Sequence, residues 1–318
     1  IAGKKDDDDY HRYKTKDRGM ELKFGMSPIS WTNDDLPELG GDTSLETCLS
    51  ETKLAGYSGT ELGGKFPRDE CELRRVLQQH ELQLVSGWYS GRLMENDVKT
   101  EIEQIKPQLD LFAALGAPVI VYGETHNTVQ NQRTVPLNKK PILEISLFEA
   151  YGARLTELAM FCAEQGVELS FHHHMGTGVE TETELDLVMD HTGNELGLLV
   201  DTGHLVFAGG DLQRVIERYG HRINHVHAKD IREDVLAKVN RANHSFLDCV
   251  LDGVFTVPGD GMIDYSSVMK SLAKHNYSGW VVVEAEQDPK KADPYTYACL
   301  GLETLKKASE EAGFRIIN

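Results

Sequence analysis

The chain has no stretch approaching the ~20 consecutive apolar residues that a membrane-spanning helix needs. A membrane is therefore not an expected partner. Positive charge is scarce: 33 Lys and Arg stand against 51 Asp and Glu, a formal net charge of −18. Such a field repels phosphate backbones, so nucleic acid is not an expected partner either. Cysteine is sparse and odd in number, at Cys48, Cys71, Cys162, Cys249 and Cys299, with no CxxC pair. That spacing supports neither a disulfide framework nor a thiolate metal site. It predicts reduced, mostly buried thiols in a cytoplasmic protein. No GxGxxG follows the first strand-like run, which argues against an open dinucleotide-binding sheet. There is no internal repeat or linker.

What is present is ordinary globular composition, 40% hydrophobic and 26% charged over 318 residues. Residues 1–19 stand apart: Asp6 to Asp9 form an acidic run among lysines, without an apolar run, ending at Met20. We read them as an expression-tag remnant or disordered tail, with no signal peptide after Met20. Residues 20–318 are then expected to form one domain. Strand-like runs begin at Lys23–Ser27, Tyr57–Glu61, Leu82–Trp88 and Pro118–Glu124. Between them Ile102, Ile105, Leu109, Phe112 and Leu115 recur at helical spacing, and Leu155, Leu158, Met160 and Cys162 lie on a second helical stretch ending near Gly166. Alternating strand and helix predicts an α/β protein with a parallel sheet. Eight such units predict a closed (β/α)8 TIM barrel.

The last four strand-like runs end in residues that bind metals. They are Glu168-Leu-Ser-Phe-His172-His173-His174, Leu198-Leu-Val-Asp201-Thr-Gly-His204, Ile223-Asn-His225-Val-His227-Ala-Lys229-Asp230, and Trp280-Val-Val-Val-Glu284-Ala-Glu286. In a barrel the strand tips open onto one face, so His, Asp, His and Glu from four tips would converge on one divalent cation. Side chains alternate along a strand, so His172 shares a face with His174; His225 with His227 and Lys229; Glu284 with Glu286. Asp201 would sit at its tip and His204 on the loop beyond. Two imidazoles and two carboxylates, with no thiolate, suit Mn, Co, Fe or Zn better than Mg or Ca. Glu124, at the fourth tip, is either an auxiliary base or a surface carboxylate. Trp31 and Trp88 either stack on a ring substrate or pack the core. Gly259-Asp-Gly261 is either a phosphate cradle or a tight turn. The long segment from Ile231 to Asn276 is expected to cover part of the site.

These residues carry a family resemblance that spans Met20 to Asn318. Asp201-Thr-Gly-His204 is similar to the Asp-x-x-His of the xylose-isomerase-like barrels, and Tyr277-Ser-Gly-Trp-Val-Val-Val-Glu284 to their Tyr-x-Gly-x4-Glu ending. More narrowly, Met26-Ser-Pro-Ile-Ser-Trp31, His172-His-His-Met-Gly-Thr-Gly178 and Phe255-Thr-Val-Pro-Gly-Asp-Gly261 resemble the inosose dehydratases. The resemblance implies metal ligands at Asp201, His227 and Glu284. The fourth falls on His172, where relatives carry Glu, with His174 as its alternative and His225 as the alternative to His227. It further implies Mn or Co, and glutathione as an additional cofactor that nothing in the composition or spacing indicates.

The activity so implied is a hydro-lyase reaction: loss of water from 2-keto-myo-inositol, a small polyhydroxylated cyclic ketone, through a metal-stabilised enediolate to a trihydroxycyclohexane-dione. His204 or His174 would be the base and Lys229 a proton donor or oxyanion partner, its pKa depressed by the cation. The alternative is a metal-dependent sugar or inosose isomerase or epimerase. The resemblance leaves association as a homo-oligomer open.

Overall fold

The computed structural model describes residues 20–318; the proposed tag at 1–19 lies outside them. Eight strands form the barrel: β1 (Glu21–Met26), β2 (Gly59–Leu62), β3 (Gln83–Gly91), β4 (Val119–Glu124), β5 (Glu168–His172), β6 (Gly197–Asp201), β7 (Ile223–Ala228) and β8 (Gly279–Val283). Each pairs in parallel with the next, and β8 closes on β1 with Phe24 opposite Val281 and Gly25 opposite Val282. Arg315–Ile316 adds a short parallel pairing to the start of β1.

The outer layer is α1 (Leu45–Ala55), α2 (Glu70–Gln79), α3 (Val98–Leu115), α4 (Phe148–Glu164), α5 (Glu182–Asp190), α6 (Leu212–Tyr219), α7 (Tyr265–Lys274) and α8 (Pro294–Glu311). Most start at a side-chain cap that accepts a free backbone N–H: Ser44, Asp69, Asp97, Asp211, Asp264 and Asp293 do so singly, and Thr181 with Glu184 forms a reciprocal box. On α3 the periodic residues Ile105, Leu109 and Phe112 are fully buried. On α4 Leu155, Leu158 and Cys162 are buried, but Met160 is 48% exposed. It lies two residues, about 200° of helical rotation, from Leu158 and so faces water.

The barrel interior is divided along its axis. Its lower part is plugged by Val85, Trp280 and Val282. Gly59 makes room for this plug: a β-carbon there would lie 2.5 Å from Val85 and 2.8 Å from the Trp280 ring. The upper part is polar and holds the strand tips.

Beyond β7 the chain leaves the barrel. Asp230–Ile231 pairs antiparallel with Phe255–Thr256. A short helix, Phe246–Asp252, lies between them, boxed by Ser245 and Asp248. Phe246, Leu247, Phe255 and Ile231 pack with Leu36, Leu39, Leu137 and Met175 in an apolar cluster separate from the main core. The Gly259–Gly261 turn closes around a carboxylate of the chain itself. Asp230 accepts hydrogen bonds from the backbone of Ile231, Gly259 and Ile263. A β-carbon at Gly261 would strike Asp230 at 2.2 Å. The tight-turn reading of this motif therefore holds over the phosphate reading.

All five cysteines are free; Cys48, Cys162 and Cys249 are buried and Cys71 is exposed. Among the described residues no helix is long and apolar enough to cross a membrane.

Candidate metal centre and cavity

His172, Asp201, His227 and Glu284 come from the tips of four consecutive strands, β5 to β8. One ligand atom from each lies within 4.8 Å of the others. His172 Nε2 is 3.6 Å from Asp201 Oδ2. His227 Nδ1 is 3.5 Å from Asp201 Oδ2 and 3.4 Å from Glu284 Oε2. The ring orientations follow from the other nitrogens. His172 Nδ1 donates to the carbonyl of His173 at 2.5 Å, so its Nε2 carries the lone pair. His227 Nε2 donates to Glu61 Oε1 at 2.9 Å, which leaves Nδ1 toward the carboxylates. Asp201 Oδ2 and His227 Nδ1 are buried without a hydrogen-bond partner. Two imidazoles and two carboxylates, with orphaned atoms turned toward one point, are a donor set that fits a divalent transition ion.

The charges are set by opposition between burial and neighbours. Burial raises the pKa of Asp201, but Lys229, His227 and His172 outweigh it and hold the group well below the carboxylate range. Glu284 is held low in the same way by His227 and Lys229. Burial disfavours a proton on His227, yet Glu284 and Glu61 hold its pKa well above the usual histidine value.

A second group lies beside the first: His174, His204 and Glu286, again within 4.8 Å of one another. Lys229 Nζ is 3.0 Å from His204 Nε2, 2.8 Å from Glu286 Oε2, 2.7 Å from Glu284 Oε1 and 3.4 Å from Asp201 Oδ2. His204 is not on a loop. Asp201 caps a short helix, Thr202–Phe207, by accepting from His204 N at 2.8 Å, which carries the imidazole into this group. The Met175 amide faces its other nitrogen at 3.2 Å. A neutral imidazole can accept from only one of these two donors; burial, with His174 and Lys229, pushes the pKa of the ring well down. His174 is lowered to about 4, chiefly by burial. Glu286 is raised to about 7 by burial, against the pull of Lys229. The depression expected of Lys229 depends on a cation beside it; the protein's own groups act the other way. Burial acts downward, but Asp201, Glu284 and Glu286 hold the ammonium above its ordinary range.

A cavity of about 520 Å³ opens above these groups. Its wall includes His172, His174, His227, Glu284 and Glu286, with Trp88 and Phe246 among the flanking rings. The Trp88 ring meets His172 and His174 edge-on at 5.6 Å. Phe246 and Leu247 bring the segment after β7 over the cavity, as expected of it. Asp201, His204 and Lys229 are fully buried behind the wall. Trp31 belongs to the core and donates to Glu51 at 2.5 Å. Glu124 is also displaced from its expected role: its carboxylate accepts from Tyr122 Oη and from the backbone of Met94 and His126, and it does not line the cavity. Two carboxylates gain importance. Glu61, at the tip of β2, accepts from Ser86, His225 and His227. Glu286 faces the cavity. The tip rule that singled out Glu284 reaches both.

The family model for xylose isomerase-like TIM barrels matches residues 49–314. The chain is 52% identical over 297 residues to the rhizopine catabolism protein MocC of Rhizobium meliloti, covering 93% of this chain and 91% of that one. It is 43% identical over 294 residues to an inosose dehydratase of Bacillus anthracis, covering 92% and 98% respectively. The solved structure of the IOLI protein with a bound zinc atom superposes with a TM-score of 0.62 at 18% identity, over 91% of this chain and 97% of that one. Matches of this extent, together with the closed parallel barrel, mean that the chain belongs to the xylose isomerase-like TIM barrel family and stands among the relatives of the inosose dehydratases.

Proposed function

We propose that this protein is a metal-dependent hydro-lyase that removes water from 2-keto-myo-inositol (scyllo-inosose), yielding a trihydroxycyclohexane-dione. The observation that carries the reading is the convergence of His172, Asp201, His227 and Glu284 beneath the cavity, in a chain 43% identical to an inosose dehydratase. These four residues would hold the ion, with Mn or Co the metals the donor set and the resemblance favour. A divalent ion there supplies Lewis-acid polarisation of the ketone and eases loss of the proton on the neighbouring carbon.

The chain's own residues do the rest. Trp88 and Phe246 provide aromatic edges and faces against which a six-membered ring can lie. Phe246 and Leu247 also limit water above it. His174 and Glu286 reach the cavity, so we assign proton removal to His174 and protonation of the departing hydroxyl to Glu286. His204 and Lys229, the base and proton donor that the sequence suggests, stand one contact behind: Lys229 is 2.8 Å from Glu286 and 3.0 Å from His204. Their part is to orient and set the charge of the groups in front. The net charge of −18 and the free thiols support a cytoplasmic setting.

The test is to strip the protein with chelator, restore Mn or Co, and follow scyllo-inosose by ultraviolet absorbance and mass. Metal-dependent loss of one water is the expected result. Bound metal with an isomerised product of unchanged mass would move the protein to the epimerase class instead.

A further inference from the structure

Two buried donor groups sit side by side under the cavity, and only one of them is open to an ion. In the second, the donors of His174, His204 and Glu286 are as closely gathered as those of the first. Two imidazoles and a carboxylate are a common catalytic zinc set. Two of its three members, His204 and Glu286, are already held by a side chain. Lys229 Nζ has Glu284 Oε1, Glu286 Oε2 and His204 Nε2 at 2.7, 2.8 and 3.0 Å, and Asp201 Oδ2 at 3.4 Å. We propose that the Lys229 ammonium fills a second cation position, limiting this chain to one divalent ion where its donors could hold two. The proposal rests on reading the His172, Asp201, His227 and Glu284 cluster as a metal site.

Three observations support it. Glu284 divides its oxygens between the positions: Oε2 faces His227 Nδ1 at 3.4 Å, and Oε1 faces Lys229 at 2.7 Å. That is how a carboxylate bridges two cations. Next, Lys229 can only donate, and at 3.0 Å it is nearer to His204 than the Met175 amide at 3.2 Å; accepting from Lys229 puts the lone pair on Nε2, the tautomer a metal would also need. Finally, the ammonium is held in place. Its stem runs along Gly203, where a β-carbon would lie 2.5 Å from Lys229 Cγ, and Nζ lies 4.9 Å from the centre of the Phe255 ring. Glycine in Asp201-Thr-Gly-His204 is thus what admits the lysine. Removing a buried cation leaves Asp201, Glu284 and Glu286 under-compensated, and a mobile ion would answer that deficit.

The experiment is metal content per chain by mass spectrometry after equilibrium dialysis against Mn, Co or Zn. We expect about one ion in the wild type and about two in Lys229→Ala, falling back to about one in Lys229→Ala/His204→Ala. Lys229→Met, which refills the space without charge, should stay at about one. If metal-free Lys229→Ala does not fold, a second equivalent of metal should restore its melting transition, and failure to do so overturns the proposal. Two ions in the wild type, or one in a folded Lys229→Ala, also overturns it while leaving the first site intact. No ion in the wild type removes the metal reading itself.

Discussion

Glu61 and Glu124 lie at the tips of two strands of the same barrel wall, and both are almost fully buried, at 5% and 2% exposure. Their charges are opposite in tendency. Burial pushes Glu61 up, but the His227 imidazole and hydrogen bonds from His225 and His227 hold it down to about 2. Burial pushes Glu124 up to about 7, and hydrogen bonds from Tyr122 and from the backbone of His126 and Met94 only partly offset this. Equal burial therefore does not decide whether a carboxyl is ionised. Partners do: Glu61 has imidazoles that can share its charge, whereas Glu124 has neutral donors only. The first is placed to orient a metal ligand. The second ties the β3 and β4 loops together through Tyr122, Met94 and His126.

That contrast can be broken from either side. The largest effect should come from His227→Ala, which removes both a proposed ligand and the chief partner of Glu61. Metal should be lost and turnover of scyllo-inosose should fall by about 10³-fold or more. Retention of stoichiometric metal with normal turnover would exclude His227 as a ligand.

On the other side, Glu124 carries a pH dependence. Its folded pKa of about 7 lies above the ordinary 4.5, so its stabilising contribution is complete below about 4.5 and is lost as pH rises through about 7. The span is up to about 3 kcal/mol. Urea unfolding of Glu124→Gln at pH 5 and pH 8 should show that much less difference than the wild type. An unchanged difference would mean that the folded-state pKa of Glu124 is not raised and that the pH dependence comes from other groups.

Glu61→Gln should weaken metal binding about 10–100-fold while the barrel still folds, because an amide no longer fixes the proton of His227 on Nε2. Equal metal affinity in that variant would erase the functional distinction between the two glutamates. The smallest effect is expected at Trp88→Ala. Losing an aromatic wall should raise KM about tenfold with kcat changed less. A fall in kcat alone would place Trp88 in the chemistry rather than in substrate positioning.

Much of this molecule was legible before its structure. The eight strand-like runs became the eight barrel strands because apolar runs bounded by polar tips are what a wall buried on both faces requires. The four tips from β5 to β8 were visible for the same reason. The helix at 98–115 followed from its apolar spacing. Other features were not local. Glu124 and Glu61 are both tip glutamates in the sequence, and only the position of Tyr122 relative to His227 tells them apart. The sequence places His204 on a loop, because a six-residue helix capped by Asp201 has no apolar period to announce it.

The sequence by itself determined the architecture and the inventory of donors, since strand period and residue type are properties of short segments. The tertiary structure decided which donors face one another, which reach the cavity, and that Lys229 stands between two groups of them. Those are relations between residues on different strands, set by how the barrel closes, and no single segment contains them.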